Sequence, residues 1–167
     1  LNAGEYSITI KFSNDGRLID SDLKAALNID SPDNQVKKLT DMVEALGDIT
    51  LDKESNVEVV QTFYNNMSEE LQLKISDEIK KKISDASDKI SGLKEDKNKA
   101  QKWEEKVKAI GNVDLSKEEL IKEARKTYES LTDSQKSFVA KEVLTVLQNA
   151  EVTLQKLKEA NNDQKPS

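Results

Sequence analysis

The side chains best suited to chemistry in this sequence are its acids, 32 Asp and Glu beside 26 Lys and Arg, because the chain carries no His and no Cys. That absence removes thiol nucleophiles, disulfides, imidazole general bases and the commonest zinc and iron ligands together. Carboxylate chemistry remains, either calcium coordination or the paired acids of glycoside hydrolysis. The calcium reading rests on Asp15-Gly16 followed by Asp20, Ser21 and Asp22. Its spacing fails: with Gly16 in the glycine place of a calcium loop, the first and ninth ligand positions fall on Lys11 and Ile19, neither of which has a side-chain oxygen. The stretch reads instead as a turn followed by a helix cap. A catalytic acid pair needs a cleft that raises the pKa of one carboxyl, and solvated helix faces do not supply one. The sequence therefore predicts a protein that is not an enzyme, with no catalytic residue, no metal site and no cofactor.

Trp103 has two readings, an exposed platform for sugars or partners and a core residue; its helical phase, matched to that of Leu39, favours the core. Tyr64 and Tyr128 fall at one shared bundle position and read as structural, while Arg125 beside Tyr128 and Glu129 reads as a surface charge network. What is left for function is surface. Apolar residues that stand off the periodic skeleton are Phe63 and Leu73 in the first half, with Val59, and Leu120, Phe138, Leu144 and Val146 in the second, with Val152. These form the candidate partner-binding surface, and some of them are expected to flank the core.

The elements that must position these residues are written twice. The stretch Val43 to Lys94 returns without a gap as Val107 to Lys158, each residue meeting its counterpart 64 positions later (107 − 43 = 64). Ile75, Ile79, Ile83, Ala86, Ile90 and Leu93 meet Val139, Val143, Leu147, Ala150, Leu154 and Leu157, so apolar type persists while the polar surface varies. Ser31-Pro32-Asp33 starts a helix whose face Val36, Leu39, Val43 and Leu46 ends at Gly47; Ala100, Trp103, Val107 and Ile110, ended by Gly111, are the second copy. Asp52 or Ser116 is expected to cap the next helix, which carries Val57, Val60 and Tyr64 or Ile121, Ala124 and Tyr128. Thr132 and Gln135 have the capping-box spacing, and Ser68 keeps the cap alone. The charged, breaker-poor stretch between Leu93 and Trp103 predicts one helix running from about Glu69 to about Ile110.

Before the repeat, Tyr6, Ile8, Ile10 and Phe12 alternate with polar residues as in a half-buried strand, and Asn14-Asp15-Gly16 turns the chain toward Arg17-Leu18-Ile19. A lone ribbon is marginal in water, so it either lies on the first bundle or is an appended or severed edge of a preceding β-domain, and the second reading is preferred. A short helix through Leu23, Ala26 and Leu27 should follow. The expected fold is all-α: two tandem three-helix bundles sharing a long connecting helix, with a short N-terminal β-ribbon. Its divisions are 1–30 for the ribbon and short helix, 31–94 and 95–159 for the two bundles, and 160–167 for a flexible tail.

A net charge of −6 and a pI near 4.9 argue against nucleic acid or an anionic membrane as partner, since both need a basic face. No apolar run is long enough to span a bilayer. With 35% hydrophobic and only 4% aromatic residues, narrow helical bundles fit better than a thick mixed core.

The second copy has the pattern Gly111-x-Val113-x-Leu115-x-Lys117-Glu118-x-x-Ile121-x-x-Ala124-Arg125-x-x-Tyr128-x-x-Leu131-Thr132-x-x-Gln135-Lys136-x-x-Val139, closing with Ala150-Glu151-x-x-Leu154-x-x-Leu157. It resembles a helical repeat of large exported and wall-attached proteins of Gram-positive bacteria, clostridia especially. The first copy is a diverged relative, with Gln61 where Arg125 stands. The N-terminal Gly4 to Ile10 is similar to the edge of immunoglobulin-like or heme-acquisition modules of such proteins. The resemblance implies a secreted or cell wall-attached location and an accessory role: a monomeric spacer whose partners are the adjacent domains of its parent chain. The alternative it implies is an adhesin-like module binding a host protein or a sister domain.

Overall fold

The computed structural model describes residues 31–163 with their side chains, and Gly4–Asn14 and Arg17–Ile29 by their backbone. Those two stretches, β1 and β2, pair antiparallel from Gly4↔Ile29 to Asn14↔Arg17, with an irregularity between Ile10 and Phe12. The short helix expected over Leu23 to Leu27 is not there. The backbone of β2 runs through those residues, with Leu23, Ala25 and Leu27 in register with Ile10, Ile8 and Tyr6. The expected turn at Asp15-Gly16, and with it the calcium question, lies outside the described residues.

From residue 31 onward the chain is mostly helical. It divides into two compact units, Leu1–Ser87 and Asp88–Ser167, and the division falls inside a helix, not at Lys94.

In the first unit, α1 (Pro32–Glu44) starts where the Asn34 N–H donates to Ser31 Oγ at 3.2 Å, with Pro32 in the first turn and Asp33 at the positive end of the dipole. It buries Leu39 and Val43 and ends before Gly47, whose φ of 57° is the left-handed geometry that a side chain resists. A 3-10 turn, Leu51–Lys53, leads into α2 (Glu54–Asn65), which buries Val57 and Val60. α3 (Glu69–Lys74) is capped by Ser68.

There the expectation of one helix from Glu69 to Ile110 needs correcting. Ile75 is extended (φ −74°, ψ 130°) and buried, and a new helix, α4 (Asp77–Lys108), begins on Ser76, whose Oγ accepts from the Ile79 N–H. An apolar side chain can enter the core from an extended residue as well as from a helical one. The four-residue step from Ile75 to Ile79 therefore concealed a break that Ser76-Asp77-Glu78 marks as a cap. From Asp77 the helix runs 32 residues without interruption, about 48 Å at 1.5 Å per residue.

The second unit holds the C-terminal part of α4, then α5 (Glu118–Ser130), α6 (Asp133–Ser137) and α7 (Lys141–Asp163). α7 thus continues through the first residues of the expected tail, and 164–167 lie outside the described residues. The core joins Trp103, Val107 and Ile110 of α4 to Ile121 and Ala124 of α5 and to Val143, Leu147, Ala150 and Leu154 of α7. Trp103 is fully buried, as its phase predicts; its indole N–H donates to the Ala124 carbonyl at 2.8 Å, and its ring meets Tyr128 at 5.0 Å between centroids. The 3-10 turn before α5, Leu115–Lys117, is capped by Asp114, which accepts from the Ser116 N–H at 2.8 Å. The cap is therefore Asp114, not Ser116. In the first unit neither Thr50 nor Asp52 caps the backbone: their side chains bond each other, and that bond lowers the Asp52 pKa.

The two units differ in polar contacts that cross between helices, and there both partners have changed together. Arg125 of α5, expected in a charge network beside Tyr128 and Glu129, makes two 2.6 Å bonds to the carboxylate of Glu151 on α7; the counterparts 64 residues earlier are Gln61 and Ser87. Gln135 completes the capping box with Thr132, is buried, and donates to Asp96 at 3.0 Å; its counterpart is Leu71, and that of Asp96 is Pro32. The hydroxyl of Ser134, and then Gln135, hold the Asp96 carboxyl below the usual carboxylate range. The start of α7 has Ala140 where α4 has Ser76, and its free N–H is met at 2.7 Å by Glu104 of α4, whose counterpart is Thr40.

The glycines give a paired test. An added Cβ meets nothing within 4 Å at Gly111 or at Gly92, so backbone conformation alone decides the outcome. Gly111→Ala, at φ 60°, should cost about 1 kcal/mol of stability. Gly92→Ala, inside α4, should add about 0.5–1 kcal/mol. Chemical denaturation measures both, and shifts of the same sign would refute the assignment.

Candidate interaction surface

The apolar residues singled out from the sequence sort into three groups. Leu144 is partly buried and packs on the core of the second unit, so it serves packing and drops out as a binding residue. Phe138 is half-buried at the C-terminal end of α6. Leu73, Leu120, Val146, Val59 and Val152 are exposed, Leu73 most of all at 81%.

Among the described residues, one groove gathers two members of the set. An open groove of about 610 Å³ in the first unit is lined by Gln35 of α1, by Ser55, Glu58, Val59, Thr62, Phe63 and Asn66 along α2 or at its end, and by Met67. Positions 55, 59, 62, 63 and 66 recur at steps of three and four, so they form one stripe of α2. Phe63 is half-buried, with the Lys38 ammonium 5.3 Å from its ring centroid. Val59 also borders a smaller recess of about 230 Å³ with Met42, Ala45, Leu46, Asn56 and Val60. Leu73 lines neither groove. In the second unit, a recess of about 300 Å³ is walled by Arg125, Lys126, Glu129 and Glu151 over Ile121 and Leu154, and none of Leu120, Phe138, Leu144 or Val146 enters it.

A signal for the groove is present in the repeat. Val59 and Phe63 correspond to Glu123 and Thr127, and Ser55 and Thr62 to Glu119 and Lys126. The same face is apolar in one copy and charged in the other, which the search for off-skeleton residues alone did not bring out.

The charged groups form networks on the helix surfaces. Glu118 takes Lys122 at 2.6 Å and Lys158 of α7, and these two ammonium partners hold its carboxyl down at about 2. Lys82 lowers the Glu78 pKa and is raised in return. Lys37–Asp41 and Lys81–Asp85 are further i,i+4 pairs on solvated faces. Among the described residues no group of three or more acids is placed to hold a metal ion. No helix among them is long and apolar enough to cross a membrane.

The sorting of Leu144 from Val146 can be checked directly. Leu144→Asp should destabilise the second unit by roughly 2 kcal/mol or more, since it puts a charge against the core, while Val146→Asp should stay within about 0.5 kcal/mol. Equal effects in thermal unfolding would overturn the distinction. In comparisons with known proteins, the chain matches no protein-family model, no curated protein and no solved structure.

Proposed function

We propose that the chain is a non-catalytic helical spacer or accessory module of a bacterial secreted or cell wall-attached multidomain protein, holding neighbouring domains apart. In this reading it is built as two tandem three-helix bundles that share α4, each third helix carrying the short extra turn of α3 or α6 before it, behind an N-terminal β-ribbon. Its partners are the adjacent domains of the parent chain, and it acts as a monomer without nucleic acid, membrane or cofactor.

One observation carries this reading: buried positions are kept across the repeat while surface chemistry is not. Leu39 and Trp103, Val43 and Val107, Val57 and Ile121, Val60 and Ala124, Ile83 and Leu147, and Ala86 and Ala150 are all buried at the 64-residue offset. Exposed positions drift, as Val59 does to Glu123. A function carried by a surface site in each copy would hold surface residues; one carried by length and stiffness needs only the core. The likeness of the second copy's pattern to repeats of Gram-positive exported proteins supports the cellular setting.

A second reading, an adhesin-like module that binds a host protein or a sister domain, is favoured by Leu73, a large apolar side chain almost wholly in water on α3.

Small-angle scattering tests the spacer. A compact globule of 167 residues has a radius of gyration of about 15 Å. Bundles strung along a shared helix over about 75 Å would give about 22 Å, at α4's 1.5 Å per residue. The proposal expects a value near the larger figure in a monomer, and a value near the smaller one would remove its physical basis.

A further inference from the structure

The two units make the same turn between helices with different chemistry. In the first unit the turn around α3 is held by neutral side chains: Ser68 Oγ accepts from the Leu71 N–H, Ser76 Oγ accepts from the Ile79 N–H, and the Gln72 amide donates to the Tyr64 and Met67 carbonyls at 3.1 and 3.2 Å. In the second unit the turn around α6 keeps its Thr132 cap but hangs at both ends on carboxylates of α4. Asp96 accepts from the Ser134 hydroxyl and from the Gln135 amide, the latter at 3.0 Å. Glu104, whose side chain is only 14% exposed, accepts from the Ala140 N–H at 2.7 Å. The first unit has no means to copy this. Pro32 stands in the place of Asp96, and Thr40, in the place of Glu104, donates to the Val36 carbonyl of its own helix.

The charged neighbours of these two acids belong to their own helix: Lys89 and Lys99 act on Asp96, and Lys108 lies 3.8 Å from Glu104. Among the described residues neither acid pairs with a cation of α6 or α7, so across the turn each meets neutral donors. A hydrogen bond to an ionised acceptor is about twice as strong as one to a neutral acceptor, so protonation removes about half of what clasps the turn. We propose that Asp96 and Glu104 make the α6 turn an acid-released latch, which opens in the second unit while the α3 turn of the first stays closed. The direction follows from Asp96, whose donors hold its carboxyl below the ordinary 3.8. A depressed folded pKa contributes stability that is present above the ordinary value and is lost as pH falls through the folded one. The contact of α5 with α7 has a tie of its own, since the Lys122 and Lys158 ammonium groups hold Glu118 down at about 2. Opening therefore frees the turn first and uncovers Leu131, Phe138 and Val139, of which Leu131 and Val139 pack on the core when the latch is closed.

The test is amide hydrogen exchange on the whole chain, read as protection factors between about pH 6 and about pH 2.5. Over that range residues 134–140 should lose about tenfold or more in protection, while residues 71–79 of the first unit and 143–154 of α7 change less than about threefold. Equal loss in the two turns would overturn the proposal. So would loss across α7 in step with the turn, because that is unfolding of the unit and not release of a latch. The isosteric double variant Asp96→Asn/Glu104→Gln removes both charges without acid. At neutral pH it should already show the low protection across 134–140, with no further dependence on pH, while emission from Trp103, the one Trp of the chain, stays that of a buried indole. A double variant whose turn is as protected as the parent's at neutral pH, or that still opens in acid, would show that these two carboxylates are not the latch.

Discussion

The constraint on which the rest of this structure depends is the uninterrupted backbone of α4. Between Leu93 and Trp103 the sequence offers no proline and no glycine to interrupt the hydrogen-bond ladder, and α4 runs on through Asp96 and Asn98. The consequences follow from position along that helix. Ile79, Ile83 and Ala86 are buried at one end, and Ala100, Trp103 and Val107 at the other. The polar side of the same helix also does structural work: Asp96 receives Ser134 and Gln135 at the start of α6, and Glu104 receives the Ala140 N–H at the start of α7. A helix start whose own residue cannot cap it is satisfied from a neighbouring helix, which ties local geometry to tertiary packing.

The duplication makes the first unit a control for the second. Apolar positions substitute one at a time within type, as Val57 to Ile121 or Ile83 to Leu147, because a core asks only for volume and shape. Polar bridges cannot change that way. Removing Arg125 alone would leave Glu151 with two unmet bonds in a partly buried place, whereas Gln61 and Ser87 together leave nothing unmet. The same logic covers Asp96 with Gln135 against Pro32 with Leu71, and Glu104 with Ala140 against Thr40 with Ser76. Where one member of a pair differs between copies, so does the other.

This also explains how much of the fold could be read from the sequence. Burial at Leu39, Trp103, Leu147 and Ile121 was legible because helical periodicity repeats at a fixed offset, and Gly47 and Gly111 were legible because only left-handed geometry asks for Gly after such a run. The break at Ile75 was not, since a buried extended residue preserves the spacing of a helical one. The Glu104 cap was hidden by distance: its partner lies 36 residues away, and nothing in the local pattern of Ala140-Lys141 names it. On the surface, exposure of Leu73 and Val146 was legible as departure from the skeleton, but Leu144 departs from it too and still packs on the core, because a helix buries a stripe wider than its central row. The α1–α2 groove became visible only when shape was added to the contrast between Val59 and Glu123.

The central claim is that α4 is one continuous helix, and a distance measured along it tests this most directly. The chain has no cysteine, so Lys81→Cys and Lys102→Cys, both at exposed positions on α4, accept spin labels without background. An unbroken helix separates these backbones by about 32 Å at 1.5 Å per residue, and pulsed dipolar spectroscopy should return a single narrow distribution near that value. A broad distribution, or a maximum well below it, would mean that the helix breaks near Gly92 or Asn98, and would contradict the account.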